Sequence, residues 1–184
     1  EATETVKVTD ISELVTGANN IANTNNNPEA KIIDISSYYN DGYTLENAGV
    51  AIDGNIASGE DSGAAIRTAA GEEASVVLDL GDAYLPSQFE KLILGYSNPR
   101  TYAADTKVEL SLDGENYTTV AENNGYSCKK DNAGTADLNI IDLDLDKYTE
   151  AGVRYAKISL SAGSNGWGYV INEIGLRLNV TVDD

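Results

Sequence analysis

Histidine and methionine are absent from this 184-residue chain, and cysteine and tryptophan occur once each, as Cys128 and Trp167. Without histidine there is no Ser-His-Asp or Cys-His nucleophile system, no histidine-ligated zinc and no imidazole base near neutral pH. One cysteine permits neither an intrachain disulfide nor a thiolate zinc cluster, and Cys128 reads as a small apolar residue. Positive charge is scarce, with 12 basic residues against 30 acidic ones and a formal net charge of −18. A surface of that sign repels the phosphate backbone of nucleic acid and anionic membrane lipid. No apolar run approaches the ~20 residues that span a bilayer, so no membrane insertion is expected. The first residues, Glu1-Ala2-Thr3-Glu4, show neither the basic start nor the apolar run of a signal peptide.

What is present is an ordinary globular composition, 41% hydrophobic and 23% charged, at a length suited to one well-cored domain. Residues 1–30 form an N-terminal extension, with a strand-like Thr5-Val6-Lys7-Val8 and the Asn-rich stretches 17–20 and 23–28. Asn side chains compete for backbone hydrogen bonds, so these stretches predict an exposed loop. From residue 31 to 184 the pattern is short strands divided by turn signals. Val76, Leu78 and Leu80 alternate with Val77 and Asp79, and Val108, Leu110 and Leu112 with Lys107, Glu109 and Ser111, ending at the hairpin signal Asp113-Gly114. The same period of two runs through Ile141, Leu143 and Leu145, through Ala156, Ile158 and Leu160, and through Ile174, Leu176, Leu178 and Val180. Helical spacing is confined to a turn or two around Ile11–Val15. The expectation is an all-β protein, a sandwich or jelly roll.

Candidate sites are few. Asp142, Asp144 and Asp146 begin like a calcium loop, but Lys147 stands where such a loop needs Gly and Val153 where it needs Glu. Their spacing instead predicts the outward face of a strand. Asp53-Gly54-Asn55 is a turn signal that, joined by Ser58 and the distant Glu173, supplies the oxygens a hard cation wants. Trp167 lies between glycines in Ser164-Asn165-Gly166-Trp167-Gly168, a loop context in which an exposed indole is suited to stacking on a sugar ring. Tyr96–Tyr102 gathers aromatic, amide and guanidinium groups in a second loop, and Tyr38, Tyr39 and Tyr43 form a third aromatic cluster. Carboxylates are plentiful, yet none is singled out as a glycosidase pair.

Five strings in order carry a family resemblance: Ala51-Ile52-Asp53-Gly54-Asn55, Leu78-Asp79-Leu80-Gly81, Ser111-Leu112-Asp113-Gly114, Arg154-Tyr155-Ala156-Lys157-Ile158 and Tyr169-Val170-Ile171-Asn172-Glu173-Ile174. With Ser36-Ser37-Tyr38 ahead of them, the region from about Ile32 to Leu178 resembles the discoidin-like, or coagulation factor type C, domains and within them the family 32 carbohydrate-binding modules. The resemblance implies a jelly-roll β-sandwich of about eight antiparallel strands, here with an N-terminal extension. It implies a structural calcium held by Asp53, Asn55, Ser58 and Glu173, and sugar contacts from Asn98, Arg100, Tyr102, Asn165 and Trp167. It further implies no catalysis, a carbohydrate partner, an extracellular or cell-surface setting, and a monomeric module of a larger bacterial multidomain protein. The alternative it leaves is an adhesion or spacer module. Two departures stand out. The chain lacks the family's usual tryptophans after the Asp-Gly-Asn turn and before the Asp-Leu-Gly string, and lacks the histidine common in galactose-binding members.

Overall fold

The computed structural model describes residues 2–4, 13–36, 43–55, 66–67, 72–96, 103–127, 137–162, 170–178 and 180–182. In chain order the main elements are β1 (Ala2–Glu4), α1 (Glu13–Thr16), β2 (Lys31–Ser36), a 3₁₀ segment (Leu45–Ile52), β3 (Ile66–Arg67), β4 (Glu73–Tyr84), β5 (Phe89–Tyr96), β6 (Ala103–Ser111), β7 (Thr118–Ser127), β8 (Asp137–Asp142), β9 (Val153–Ala162), β10 (Val170–Leu178) and β11 (Val180–Val182). One sheet has the order β2-β4-β9-β6-β7 and the other β3-β10-β5-β8, while β1 and β11 form a separate two-stranded ribbon. All pairings are antiparallel. The all-β sandwich expected from the alternating strings is the fold observed.

The alternation works because a strand sends successive side chains to opposite faces. Val76, Leu78 and Leu80 of β4, Val108 and Leu110 of β6, and Ala156, Ile158 and Leu160 of β9 are fully buried on one inner face. Leu92 and Leu94 of β5, Ile141 of β8, and Ile174 and Leu176 of β10 meet them from the other sheet. Each such Leu or Ile contributes roughly 1.5–3 kcal/mol of burial free energy, which makes this layer the main stabilising term.

The other resemblance strings turn out to be joints of the scaffold. Arg154 Nε donates to Asp79 Oδ1 at 3.0 Å and its Nη2 to Oδ2 at 3.3 Å, linking the Asp-Leu-Gly string of β4 to the Arg-Tyr-Ala string of β9. Burial alone would raise the Asp79 carboxyl, but the Arg154 guanidinium, the Gly81 N–H and the charge of Lys31 hold it below its ordinary value. At the β6–β7 hairpin, Asp113 Oδ1 accepts the N–H groups of Asn116 and Glu115, both at 2.8 Å. These bonds, with the Asn116 side-chain amide, hold the Asp113 carboxyl well below the carboxylate range.

Two expectations need correction. The strand expected through Leu145 stops at Asp142, and a 3₁₀ turn follows at Leu145–Lys147. Asp144 and Asp146 are exposed, but on that turn and not on a strand face. The switch is fixed by Asp144, whose N–H donates to the Val120 carbonyl at 2.7 Å while its own carbonyl accepts the Lys147 N–H at 3.3 Å. Second, the Asn-rich N-terminal stretch is not simply an exposed loop, because Asn20, Ile21, Ala22 and Asn23 are all buried. The Asn side chains bond backbone of distant elements. Asn20 Oδ1 accepts the Leu176 N–H at 2.9 Å, Asn20 Nδ2 donates to the Val15 carbonyl at 2.7 Å, and Asn27 Nδ2 reaches the Leu80 carbonyl at 2.9 Å. Ile21 N–H donates to the Leu176 carbonyl and Leu178 N–H to the Asn19 carbonyl, so this segment lies along the exposed edge of β10. The proposed Thr5–Val8 strand, Tyr38, Tyr39 and Cys128 lie outside the described residues.

Candidate functional site

The site grows from the end of the 3₁₀ segment, where Thr44 caps the first turn by accepting the Asn47 N–H. The chain then reverses through Asp53-Gly54-Asn55. Asp53 Oδ1 accepts the Asn55 N–H at 2.8 Å, an Asx turn that sets the local backbone. Gly54 has φ +77°, and a Cβ there would lie 2.3 Å from Asn23 Nδ2, so only glycine fits both the torsion and the space. The N-terminal segment clamps this turn. Thr24 N–H and Oγ1 donate to the Ile52 carbonyl at 2.9 and 3.3 Å, and Asn25 Nδ2 donates to the Asp53 carbonyl at 3.0 Å.

Into the same place comes Glu173 from β10. Its neighbours Ile174 and Leu176 pair with Leu94 and Leu92 and enter the core, so Glu173, opposite Gly95, projects to the outer side of the sheet. The residue is nevertheless fully buried. Glu173 Oε1 accepts the Gly54 N–H at 3.3 Å, whereas Oε2 has no hydrogen-bond partner. Burial first, and then the adjacent Asp53 carboxyl, push the Glu173 pKa up to about 10, against the opposing pull of the Gly54 and Ile174 N–H groups. A register shift between Ile171 and Glu173 places Asn172 in a bulge, fully buried, with neither amide atom hydrogen-bonded.

These features suit a hard cation. Buried carboxylates are stable as anions only beside positive charge, and calcium takes 6–8 oxygens from carboxylates, amides and carbonyls. Asp53 and Glu173 supply the two carboxyls here, and the unpartnered Glu173 Oε2 has coordinating capacity to spare. Among the described residues no group of three or more acidic or cysteine side chains gathers, so neutral oxygens would complete the shell. Of the four residues expected at a metal site, Asp53, Asn55 and Glu173 are described, and the fold brings Asp53 and Glu173 together. Ser58 lies outside the described residues. Asn23 and Asn25, which shape this turn, were not singled out in the sequence. The only signal was apolar Ile21-Ala22 inside the Asn-rich run, a hint that the run packs.

Asn98, Arg100, Tyr102, Asn165 and Trp167 all lie outside the described residues, but their flanking strands are well placed. Segment 97–102 joins β5 to β6, and segment 163–169 joins β9 to β10. Tyr96 pairs with Ile171, and Ala104 pairs with Ala162. The strands that anchor the two segments are therefore neighbours, β5 beside β10 in one sheet and β6 beside β9 in the other, at the same end of the sandwich as Glu173, which pairs with Gly95.

In fold, the chain is similar to chitosan-binding module 1 of a chitosanase/glucanase from Paenibacillus sp. IK-5, with TM-score 0.53 and 19% identity over 85% of this chain and 97% of that one. It is similar to a family 32 carbohydrate-binding module from Clostridium perfringens in complex with GalNAc-β-1,3-galactose, with TM-score 0.53 and 17% identity over 82% and 96% of the two chains. A third similarity, to a family 29 fucosidase from Ruminococcus gnavus in complex with fucose, has TM-score 0.54 and 19% identity, and covers 90% of this chain but 28% of the fucosidase. No protein-family model and no curated protein sequence matches the chain. The fold is that of the discoidin-like carbohydrate-binding modules. Among the described residues no helix is long and apolar enough to cross a membrane.

Proposed function

We propose that this protein is a non-catalytic carbohydrate-binding module that holds a polysaccharide or host glycan in the loops at one end of its sandwich. The observation that carries this is the pairing of Tyr96 with Ile171 and of Ala104 with Ala162, which roots both candidate sugar-binding segments side by side on a carbohydrate-module fold. Trp167 and Tyr102 stack on the apolar face of a sugar ring, and Asn98, Arg100 and Asn165 hydrogen-bond its hydroxyls. Calcium at Asp53 and Glu173, with Asn55 and Ser58, stiffens that end without touching the sugar. Such a module serves at the cell surface or outside the cell as a monomeric part of a longer protein, and weak single-site affinity becomes retention when several modules act together. Affinity electrophoresis through starch, mucin and galactan, followed by the Trp167→Ala variant, tests this. Retardation by one glycan that disappears in the variant supports the assignment. Absence of binding at millimolar glycan, or equal binding by the variant, refutes it.

A further inference from the structure

The outer face of the five-stranded sheet carries a feature that the loop site does not use. β9 is its central strand, and at the end nearest Ala162 it presents two small side chains, Ser159 and Ser161, to the outside. The strands beside them present long charged ones. Glu73 of β4 pairs with Ser161, Asp105 of β6 pairs with Ser161 on the other side, and Lys107 pairs with both Ser159 and Glu122 of β7. Short residues on the middle strand and long ones on its flanks leave a cavity of about 270 Å³ whose lining includes all six of these side chains. Its floor is polar, and Ser161 Oγ donates to Glu73 Oε2 at 3.4 Å. Ser159 is 2% exposed, and its Oγ has no hydrogen-bond partner. A buried hydroxyl left without a partner costs free energy comparable to a lost hydrogen bond, and this one lines an open hollow.

The charge around the hollow selects the occupant. Glu73 and Glu122 set two carboxyls beside one ammonium, and that of Lys107 is engaged by Glu109 at 3.5 Å. An anion is repelled; a neutral sugar gains hydrogen bonds from the carboxylates, and a cationic one gains those and the charge attraction as well. A bare metal ion is poorly matched, because among the described residues these acids do not form a metal-binding group. Serine hydroxyls on the floor and carboxylates around the rim fit a small ligand that carries both hydroxyls and a protonated amine. We propose that this hollow on the sheet face is a binding site for a protonated 2-amino sugar. The ammonium lies toward Glu73 and Glu122, and ring hydroxyls meet Ser159 and Ser161.

The test is a ¹⁵N-HSQC titration of the intact protein with glucosamine oligomers of three residues, alongside their N-acetylated counterparts and calcium alone. The amino form is expected to shift amides of residues 105–107, 122 and 159–161, and to lose affinity as salt rises. Glu73→Gln with Glu122→Gln should weaken it about fivefold, the scale of two exposed ion pairs. Ser159→Val, which keeps every charge but blocks the floor, should weaken it as well. Equal shifts with the N-acetylated oligomer, the same shifts with calcium alone, shifts confined to other residues, or unchanged affinity in both the double Gln variant and Ser159→Val would overturn the proposal. Because these readouts lie on the sheet face, a failure of the loop site leaves them standing.

Discussion

Asn20→Ala should be among the most damaging single changes outside the sandwich core. Asn20 is 1% exposed, and its amide serves three elements at once. Oδ1 accepts from Leu176 N–H at 2.9 Å and Ala22 N–H at 3.0 Å, while Nδ2 donates to Val15 carbonyl at 2.7 Å and, more weakly, to Ile174 carbonyl at 3.5 Å. Truncation leaves three well-bonded buried backbone groups without partners, and no water has easy access to replace the amide. Leaving one buried group unsatisfied costs about 1–3 kcal/mol, and such losses combine less than additively, so the expected destabilisation is about 3–5 kcal/mol. Urea unfolding followed by far-UV circular dichroism at neutral pH measures it. Hydrogen exchange adds a local readout, since the Leu176 amide should lose protection in the variant more than amides of the β6–β7 hairpin do. Asn20→Asp separates the two halves of the side chain: it keeps the acceptor for Leu176 but sets a carboxylate against the Val15 carbonyl. It should therefore destabilise as well. A loss below about 1 kcal/mol in Asn20→Ala, with Leu176 protection unchanged, would show that the N-terminal segment is a passenger on β10 and refute the reasoning.

Calcium should raise the melting temperature, with chelator reversing the effect. At a hundredfold excess over its dissociation constant the stabilisation is about 3 kcal/mol, and Glu173→Gln should abolish it while leaving the calcium-free protein folded. If calorimetry shows the same melting point with calcium and with chelator, no cation binds at Asp53 and Glu173. The Asp79 carboxyl lies below its ordinary value of 3.8 in the folded protein, so its contribution is present above that value and is lost as pH falls through and below it. Arg154→Ala should therefore flatten the acid limb of a stability-against-pH curve, and an unchanged acid limb would remove the ion pair from the account. Tyr148, whose hydroxyl donates to the Gly152 carbonyl, is buried, and Tyr148→Phe should cost about 1 kcal/mol in urea unfolding. No loss would mean that the Gly152 carbonyl finds another donor.

Much of the sandwich was legible because strand alternation is a local signal. Val76-Leu78-Leu80 and Ala156-Ile158-Leu160 announce a buried face whichever strands they finally pair with, and the turn strings at Asp53 and Asp113 depend on glycines and carboxylates within four residues of each other. The strand that stopped at Asp142 shows where that signal fails. Leu143 and Leu145 keep the period of two and pack against the core, but Leu143 lies in the connection after β8 and Leu145 opens the 3₁₀ turn, so neither belongs to a strand. The Asn-rich stretch failed for a different reason. An amide that bonds its own turn and one that bonds a strand more than 150 residues away are the same letters in the sequence, and Asn20 does both.

The sequence by itself determined that the chain is all-β, that it has no histidine or cysteine-cluster chemistry to offer, and that a tight turn falls at Asp53-Gly54-Asn55. Those conclusions follow from residue type and from spacings of a few residues. Only the tertiary structure decided that Glu173 is buried against Asp53, that Arg154 holds Asp79, that the N-terminal asparagines edge β10, and that Ser159 lies beneath a ring of carboxylates on the far side of the sheet. Each of these unites groups from strands far apart in the chain. Their contact is set by sheet order and register, which depend on all the strands packing together and are not encoded in any one segment.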